Sequence, residues 1–518
     1  MSVAKYQSEP YESGSGGGGG PADPSREQAA ARRPWYAFVA LPAGRLARAL
    51  SRLTHHGGSA LPGRVVERLD PTFLARTLGQ LPGGVVLISG TNGKTTTTRM
   101  VASMLQSLGL KVFTNPTGSN FTRGVVSALV SELSSKDSGA RRGRLDADVA
   151  VLELDEAYAV HFAHQVRPRY ALLLNVMRDQ LDRFGEIDNT ANLLGSVAAA
   201  TDGTLVLNRE DSRIARLASL APAGTQVRYF GLADDLLSYF PSDDEMHEND
   251  QVNLGASGAV LKGGGEGEAS AVSGQADERT QVRPEHELPA DVVLEAVGDH
   301  RASFQIDGQR RESQVKLEGI YNLYNAAAAL TLVRAVLADW QHSKASQRQT
   351  QTGGQPLEPI NDQELMQALS QVTPAFGRGE VISYRGAPIE LVLVKNPMGF
   401  RLALASFEPA GNDTMIAIRD EYADGRDMSW LWDVDFSSLR AEGVAMVSGT
   451  RAYDMALRLD YDQVPVAATE SDLEAALRQF VGAHPGRPKR IYCTYTAMLR
   501  LRAELGKITQ VADAGVGA

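Results

Sequence analysis

The chain has 518 residues, 52 of them basic and 62 acidic, for a net charge of −10. That length accommodates two or three domains, and the acidic balance argues against nucleic acid as the main partner, because phosphate-backbone binding favours basic stripes. A single cysteine, Cys493, excludes an internal disulfide and any multi-cysteine zinc site; a reducing cytoplasm fits, and no apolar run nears the roughly 18 residues of a membrane span.

Residues 1 to 33 include the glycine run at 16–20 and little apolar surface, and read as a disordered tail. Residues 34–70 mix aromatics, leucines and arginines in a helical lead-in, amphipathic enough to pack on the domain that follows, with a membrane surface as the alternative. Residues 71–375 alternate short apolar runs with helical stretches, the signature of an α/β doubly wound parallel sheet. Within them the run Val85-Val86-Leu87-Ile88 leads into Gly90-Thr91-Asn92-Gly93-Lys94-Thr95. Met100, Val101, Met104, Leu105 and Leu108 then recur at helical spacing. Strand, glycine turn and helix are the context a phosphate-binding loop requires, here in the shorter G-x-x-G-K-T form. Gly90, Thr91, Asn92, Gly93, Lys94, Thr95 and Thr96 are thus candidate ligands of a nucleoside triphosphate. Backbone N–H groups would close on phosphate oxygens, Lys94 would reach the terminal phosphates, and the Thr95 hydroxyl would complete a magnesium shell.

Further apolar runs at 149–154, 171–174 and 205–207 read as buried parallel strands. The first ends in Asp155-Glu156, beside the phosphate loop, so Glu156 is the candidate magnesium ligand with Thr95, and Glu153 could join them; a solvated acidic strand end is the alternative. The segment 175–185 is dense in groups suited to phosphate, metal or a polar substrate, or is a plain charged loop. Asn208 closes the next strand and is a further candidate nucleotide-binding residue; Asn322 and Asn325 share one helix face and suit either an adenine edge or helix capping. Residues 241–289 form an acidic, glycine-containing low-complexity insertion, and 343–356 read as a flexible loop between helices.

From residue 376 to 518 a second α/β domain follows, with strands at 390–394, 415–418, 444–447 and 490–495. Arg378 stands where it begins and suits a γ-phosphate or plain surface charge. Asp424-Gly425 is a turn signal from which Asp427 projects, by local physics a helix cap. Cys493 lies in a strand and reads as a buried structural thiol.

The strings ISGTNGKTTTT, LELDE, RDQLDRFGEID, LNREDS, GIYNLYNAAAA, VKNPMGF and DGRDMSWLWDVDF, in that order, resemble the Mur ligase superfamily and, within it, the MurT family. The resemblance covers residues 61 to 496 apart from the two low-complexity segments. It implies a Mur-type central P-loop ATPase domain and a Rossmann-like C-terminal α/β domain. It also implies ATP-dependent amidation of the α-carboxyl of D-glutamate in the lipid II stem peptide. ATP and Mg2+ would be the cofactors, and ammonia would come from a GatD-type glutaminase whose triad Asp427 completes. Work would then take place in the cytoplasm, at the inner face of the plasma membrane, through a lipid-borne substrate only. An amino-acid-adding ligase of the Mur or folylpolyglutamate type and a non-catalytic ATP-binding scaffold are the rival readings. Two departures stand out. Type members carry a four-cysteine zinc ribbon about where this chain has its acidic insertion, so no zinc is expected. The histidine of a D-H-L-D motif is here Gln180, which weakens the case for a second magnesium.

Overall fold

The computed structural model describes residues 37–53, 61–115, 121–133, 144–177, 187–239, 284–298, 301–316, 320–352, 361–373, 378–407, 409–421, 424–425 and 427–511. Two sheets organise them. The first contains β1 (Val85–Ser89), β2 (Val112–Thr114), β3 (Val149–Glu153), β4 (Tyr170–Leu173), β5 (Thr204–Asn208), β6 (Gln226–Leu232), β7 (Val292–Gly298), β8 (Arg301–Ile306) and β9 (Gln309–Gln314). Their spatial order is β2-β3-β1-β4-β5-β6-β7-β8-β9. Strands β2 to β7 and β1 pair in parallel, whereas β7, β8 and β9 pair antiparallel. The chain places β2 at the edge, returns to β3 beside β1, and then resumes at β4 on the other side of β1, so β1 lies at the topological switch point. Ligands of such sheets bind outside the carboxyl ends of the strands at that point.

All five residues of β1 are buried, as a parallel strand covered on both faces must be. Alternation divides them between two cores. Val86 and Ile88 pack with Met100, Leu105 and Leu330 under the helices Lys94–Ser107 and Ile320–Thr352. Val85 and Leu87 pack with Val126, Phe162 and Leu194 under helices on the opposite face. Ala326 to Ala329 are fully buried, and their small side chains let the long helix lie close to the sheet. Each fully buried Leu, Val or Phe contributes roughly 1.5–3 kcal/mol over exposure. The lead-in helices Ala37–Leu53 and Leu61–Leu69 pack on that second core, with Ala40 and Val66 fully buried. A Cβ on Gly63 would sit 2.1 Å from the Arg123 carbonyl oxygen, so only glycine allows this approach.

The second sheet contains β10 (Arg378–Tyr384), β11 (Ala387–Leu393), β12 (Asp413–Ala417), β13 (Met446–Ser448), β14 (Thr469–Glu470) and β15 (Lys489–Cys493), in the order β10-β11-β15-β12-β13-β14. All pairs are parallel except β10 with β11. Its faces carry separate cores, one around Phe400, Phe436 and Met455, the other around Phe480, Ile491 and Leu501. Among the described residues no helix is long and apolar enough to cross a membrane.

Several features differ from the sequence reading. The segment 343–356, expected as a flexible loop, is helical through Thr352. Lys344, Ala345, Gln347, Arg348 and Gln349 are helix formers, and the first breaker is Gly353. The expected parallel first sheet also carries the antiparallel β8 and β9, whose turn uses Asp307 (φ 49°) and Gly308 (φ 75°), the left-handed pair that suits a two-residue hairpin. The insertion expected at 241–289 ends earlier, because Pro284–Glu287 form a 3-10 turn. His286 in that turn meets buried Glu210 at 2.8 Å. The rest of that insertion, the tail at 1–33 and the loop 178–186, Gln180 included, lie outside the described residues.

Gly449 has φ +98°, and a Cβ there would fall 2.1 Å from the Ile418 carbonyl oxygen. Gly449→Ala is therefore expected to destabilise the C-terminal domain by about 2–4 kcal/mol in denaturant titration. An unchanged midpoint would show that this turn is not strained.

Candidate active site

The phosphate loop lies at the carboxyl end of β1. Gly90 has φ 130° and Gly93 has φ 86°, a region that β-carbons disfavour. Gly93 serves as N-cap of the helix Lys94–Ser107. Its close neighbour is Asn325, whose Oδ1 would lie 2.5 Å from a Cβ on Gly93. Asn175, just beyond β4, braces the loop from the other side. Its Oδ1 accepts the Asn92 N–H at 2.8 Å, and its Nδ2 donates to the Asn92 carbonyl at 3.1 Å. The Thr91 N–H donates to the Asn175 carbonyl at 2.9 Å, and the Met177 N–H donates to Thr91 Oγ1 at 3.1 Å. Asp211, a half-buried carboxylate whose pKa desolvation pushes up, accepts the Val176 N–H at 2.7 Å and fixes the exit of this segment.

Lys94 is buried and donates to the Gly90 carbonyl at 2.6 Å and to the Thr91 carbonyl at 3.3 Å. Its ammonium also faces Asp155 at 3.3 Å and Glu156 at 3.6 Å, the pairing that a buried charge requires. The Thr95 hydroxyl donates to Glu153 Oε1 at 2.6 Å. Glu153 is itself fixed through its backbone, which exchanges two hydrogen bonds with the Asn115 amide at 2.9 and 3.0 Å. Thr95, Glu153, Asp155 and Glu156 thus place hard oxygen atoms beside the phosphate loop. The Thr96 hydroxyl is buried and has no hydrogen-bond partner among the described residues.

The other candidates are distributed differently. Asn325 sits against the phosphate loop, with its Nδ2 buried and unpartnered among the described residues. Asn322 is half-buried in the first turns of the same helix. The Asn208 amide is committed to the fold: Nδ2 donates to the Leu174 carbonyl at 2.8 Å, while Oδ1 accepts the Glu210 N–H at 2.9 Å and the Tyr324 hydroxyl. It braces neighbouring strand ends and has little capacity left to read a nucleobase. Arg378 opens β10; its side chain lies outside the described residues.

Asp427 follows β12, again at a strand's carboxyl end. Its exposed carboxylate accepts the Ser429 N–H at 2.9 Å, and Ser429's N–H and hydroxyl hold its pKa below the usual carboxylate range. The loop is anchored by buried Asp424, which accepts the Thr496 N–H at 2.7 Å and the Thr496 hydroxyl. Cys493 is fully buried, and burial raises its thiol pKa well above the ordinary range, which disfavours the thiolate a nucleophile needs.

Two further residues carry weight that the sequence did not signal. Lys395 and Asn396 follow β11 and reach the phosphate loop from the second sheet: Lys395 Nζ donates to the Thr91 carbonyl at 3.1 Å, and the Asn396 and Asn92 amides face each other at 3.2 and 3.4 Å. The carboxyl ends of the two sheets therefore meet at this loop. The one local hint was Asn396-Pro397 after an apolar run, a helix-start pattern.

The family model for the Mur ligase middle domain matches residues 88–265, and that for the MurT ligase C-terminal domain matches residues 393–498. The lipid II isoglutaminyl synthase (glutamine-hydrolyzing) subunit MurT of Streptococcus pneumoniae (strain ATCC BAA-255 / R6) is 29% identical, over 88% of this chain and 93% of that protein. Among solved structures, MurF from Acinetobacter baumannii superposes with a TM-score of 0.58 at 16% identity, covering 86% of this chain and 80% of that one. MurF from Thermotoga maritima, solved in complex with ADP, gives 0.54 at 14% identity, with coverage of 86% and 83%. A phosphate loop at the switch point of one sheet, met by the carboxyl end of a second, is the Mur ligase fold. The chain carries a Mur ligase middle domain followed by a MurT ligase C-terminal domain, and over most of its length it is similar to MurT subunits.

Lys94 is the one cation set inside the phosphate loop's own helix start. Lys94→Ala is expected to lower nucleotide turnover at least about 100-fold; turnover near that of the parent protein would remove Lys94 from the phosphate site.

Proposed function

We propose that the protein is the ATP-dependent synthase subunit of a lipid II amidating enzyme, a carbon–nitrogen ligase of peptidoglycan synthesis. The observation that carries this reading is the braced loop holding Lys94 beside Asp155 and Glu156, in a chain whose C-terminal part matches the MurT ligase model. A carboxylate resists attack because its charge repels nucleophiles and oxide is a poor leaving group. In the proposed reaction an oxygen of the D-glutamate α-carboxylate of lipid II attacks the γ-phosphorus. The bond to the β-phosphate oxygen breaks, and ADP leaves with the electron pair. Ammonia then attacks the acyl carbon, the carbon–oxygen bond to phosphate breaks, and loss of a proton leaves the amide, D-isoglutamine. Loop N–H groups and Lys94 stabilise charge on the transferring phosphoryl oxygens, the protein's main task in such chemistry. Arg378 is a further candidate for that task.

The oxygen donors beside the loop suit Mg2+, which takes one or two carboxylates together with substrate phosphates and water. Thr95, Glu153 and Glu156 would hold it, and it would supply charge neutralisation between the β- and γ-phosphates. Among the described residues no cluster of three or more His, Cys, Asp or Glu is arranged as an all-protein metal cage, and magnesium does not need one.

Free ammonia is scarce at neutral pH, so a GatD-type glutaminase subunit is the proposed nitrogen source. Asp427 is the residue proposed to complete its triad, orienting the partner's histidine and stabilising the cationic form. An exposed carboxylate held ionised suits that task. The turn that follows it, Ser429–Asp433, presents Trp432 half exposed against Tyr461. Tyr453, Leu457 and Tyr461 continue an exposed apolar stripe on the helix Ala452–Tyr461, a surface suited to a protein partner. The cytoplasm, at the inner face of the membrane that bears lipid II, is the proposed place of action.

The test is the purified chain with lipid II, ATP, Mg2+ and ammonium chloride, read by mass spectrometry. Amidation changes the acceptor by about one dalton, hydroxyl to amino. Addition of a whole amino acid would identify an amino-acid-adding ligase instead, and nucleotide binding without product would identify a scaffold. With the glutaminase partner present, Asp427→Asn is expected to suppress glutamine-driven amidation at least about 100-fold while sparing the ammonia-driven reaction. Equal loss of both would reject the triad role. Tyr461→Ser is expected to weaken association with the partner about tenfold or more in calorimetry, again sparing ammonia-driven turnover; unchanged affinity would move the docking surface elsewhere.

A further inference from the structure

We infer that the two lead-in helices, Ala37–Leu53 and Leu61–Leu69, form a docking face for a bilayer surface that bears anionic phospholipid headgroups. The inference deepens the proposed place of action and rests on that reading for its purpose, while vesicle binding is measurable without any amidation.

A surface helix ordinarily turns its large apolar side chains inward. These two largely do the reverse. Their buried positions are mostly small residues: Ala40, Gly44 and Gly63, with Pro62 and Val66 completing the contact. A Cβ on Gly44 would lie 2.5 Å from Val66 Cγ2, so the helices pack at close range. The large apolar residues Val39, Leu46, Leu61 and Leu69 face outward instead, with 49, 63, 48 and 41% of their surface exposed. Cations accompany them. Exposed Arg45 and Arg68 adjoin Leu46 and Leu69 in sequence, and exposed Arg64 lies one helical turn from Leu61. The helix Ala37–Leu53 contains no acidic residue, and Glu67, the one acid of the second helix, is paired with Arg123 at 3.2 Å. Leucines flanked by arginines suit a bilayer interface, where the apolar groups enter the boundary below the headgroups and the guanidinium groups reach phosphates. The whole chain carries −10, so a local cationic face also orients the molecule on an anionic surface. The exposed residues here are aliphatic or arginine, unlike the aromatic stripe of Trp432, Tyr453 and Tyr461 that suits a protein. Neither helix is long and apolar enough to cross the bilayer, so the contact is peripheral.

The test is cosedimentation of the full chain with vesicles of phosphatidylcholine alone and of phosphatidylcholine mixed with phosphatidylglycerol. The anionic vesicles are expected to bind at least about tenfold more tightly, and raising the salt to about 0.5 M should remove most of that preference. Arg64→Glu with Arg68→Glu, and separately Leu46→Ser with Leu61→Ser, should each weaken binding to anionic vesicles about tenfold without moving the denaturation midpoint. Cys493 is the only cysteine and is buried. A polarity-sensitive fluorophore on Leu46→Cys therefore reports this face alone, and its emission should shift to shorter wavelength on anionic vesicles only. Should either pair of substitutions unfold the protein, that emission still decides the matter. Equal binding to both kinds of vesicle, or binding untouched by both pairs, would overturn the inference. A parent dimer that Leu46→Ser with Leu61→Ser dissolves would give the face to a second copy and overturn it as well. Amide made from a soluble, short-chain acceptor by a chain that ignores vesicles would remove the membrane face and leave the proposed reaction standing. Binding to anionic vesicles without amide formation would support the face and count against the reaction.

Discussion

The structure depends on one constraint: a backbone turn bearing two left-handed glycines must be held rigid at the end of β1 while staying open to a phosphate. Gly90 and Gly93 supply the conformation, and side chains from elsewhere supply the rigidity. The Asn175 amide grips both the N–H and the carbonyl of Asn92. Asn325 fills the space beside Gly93, where a β-carbon would collide with it. Asn396 meets Asn92 from the second sheet. Amides suit this work because each offers donors and an acceptor without adding a charge that would compete with Lys94 or with a phosphate. Preorganisation of this kind is what allows loop dipoles to act on developing charge without reorganising.

That constraint also explains why two α/β sheets suffice for a reaction with several participants. In each sheet the side chains with chemical potential follow strands at the carboxyl end: Gly90 to Thr95 after β1, Asp155 and Glu156 after β3, Lys395 after β11 and Asp427 after β12. Because the loop after β11 touches the loop after β1, both sheets contribute residues around the phosphate loop. The second sheet thus brings Lys395 onto the phosphate loop and carries Asp427, the residue proposed to face a partner. Its separate cores on either face keep these ends fixed relative to each other.

Local rules made part of this readable in the sequence. The phosphate loop was legible because strand, glycine turn and helix are each specified by neighbouring residues. The buried strands β1, β3, β4 and β5 were legible because strands covered on both faces are continuously apolar. Strand β9, with the sequence QRRESQ, was not, since it is a polar edge strand, although Asp307-Gly308 was a turn signal in plain view. The helix continuing to Thr352 was hidden by a composition that resembles a loop but contains no breaker. Asn208 and Asn325 looked alike as amides near helix and strand ends. Tertiary contacts give the first to the scaffold and bring the second to the phosphate loop. Lys395 and Asn396 act on residues 304 positions earlier in the chain, a distance across which periodicity and turn chemistry carry no information.

The central claim is that the terminal phosphoryl group passes to a carboxylate oxygen of the acceptor. The most direct measurement labels that carboxylate with heavy oxygen, supplies ATP, Mg2+ and ammonia to the complex, and follows the label by mass spectrometry. An acyl phosphate transfers one labelled oxygen into the phosphate released with each amide. Amide formed with unlabelled phosphate would contradict the account.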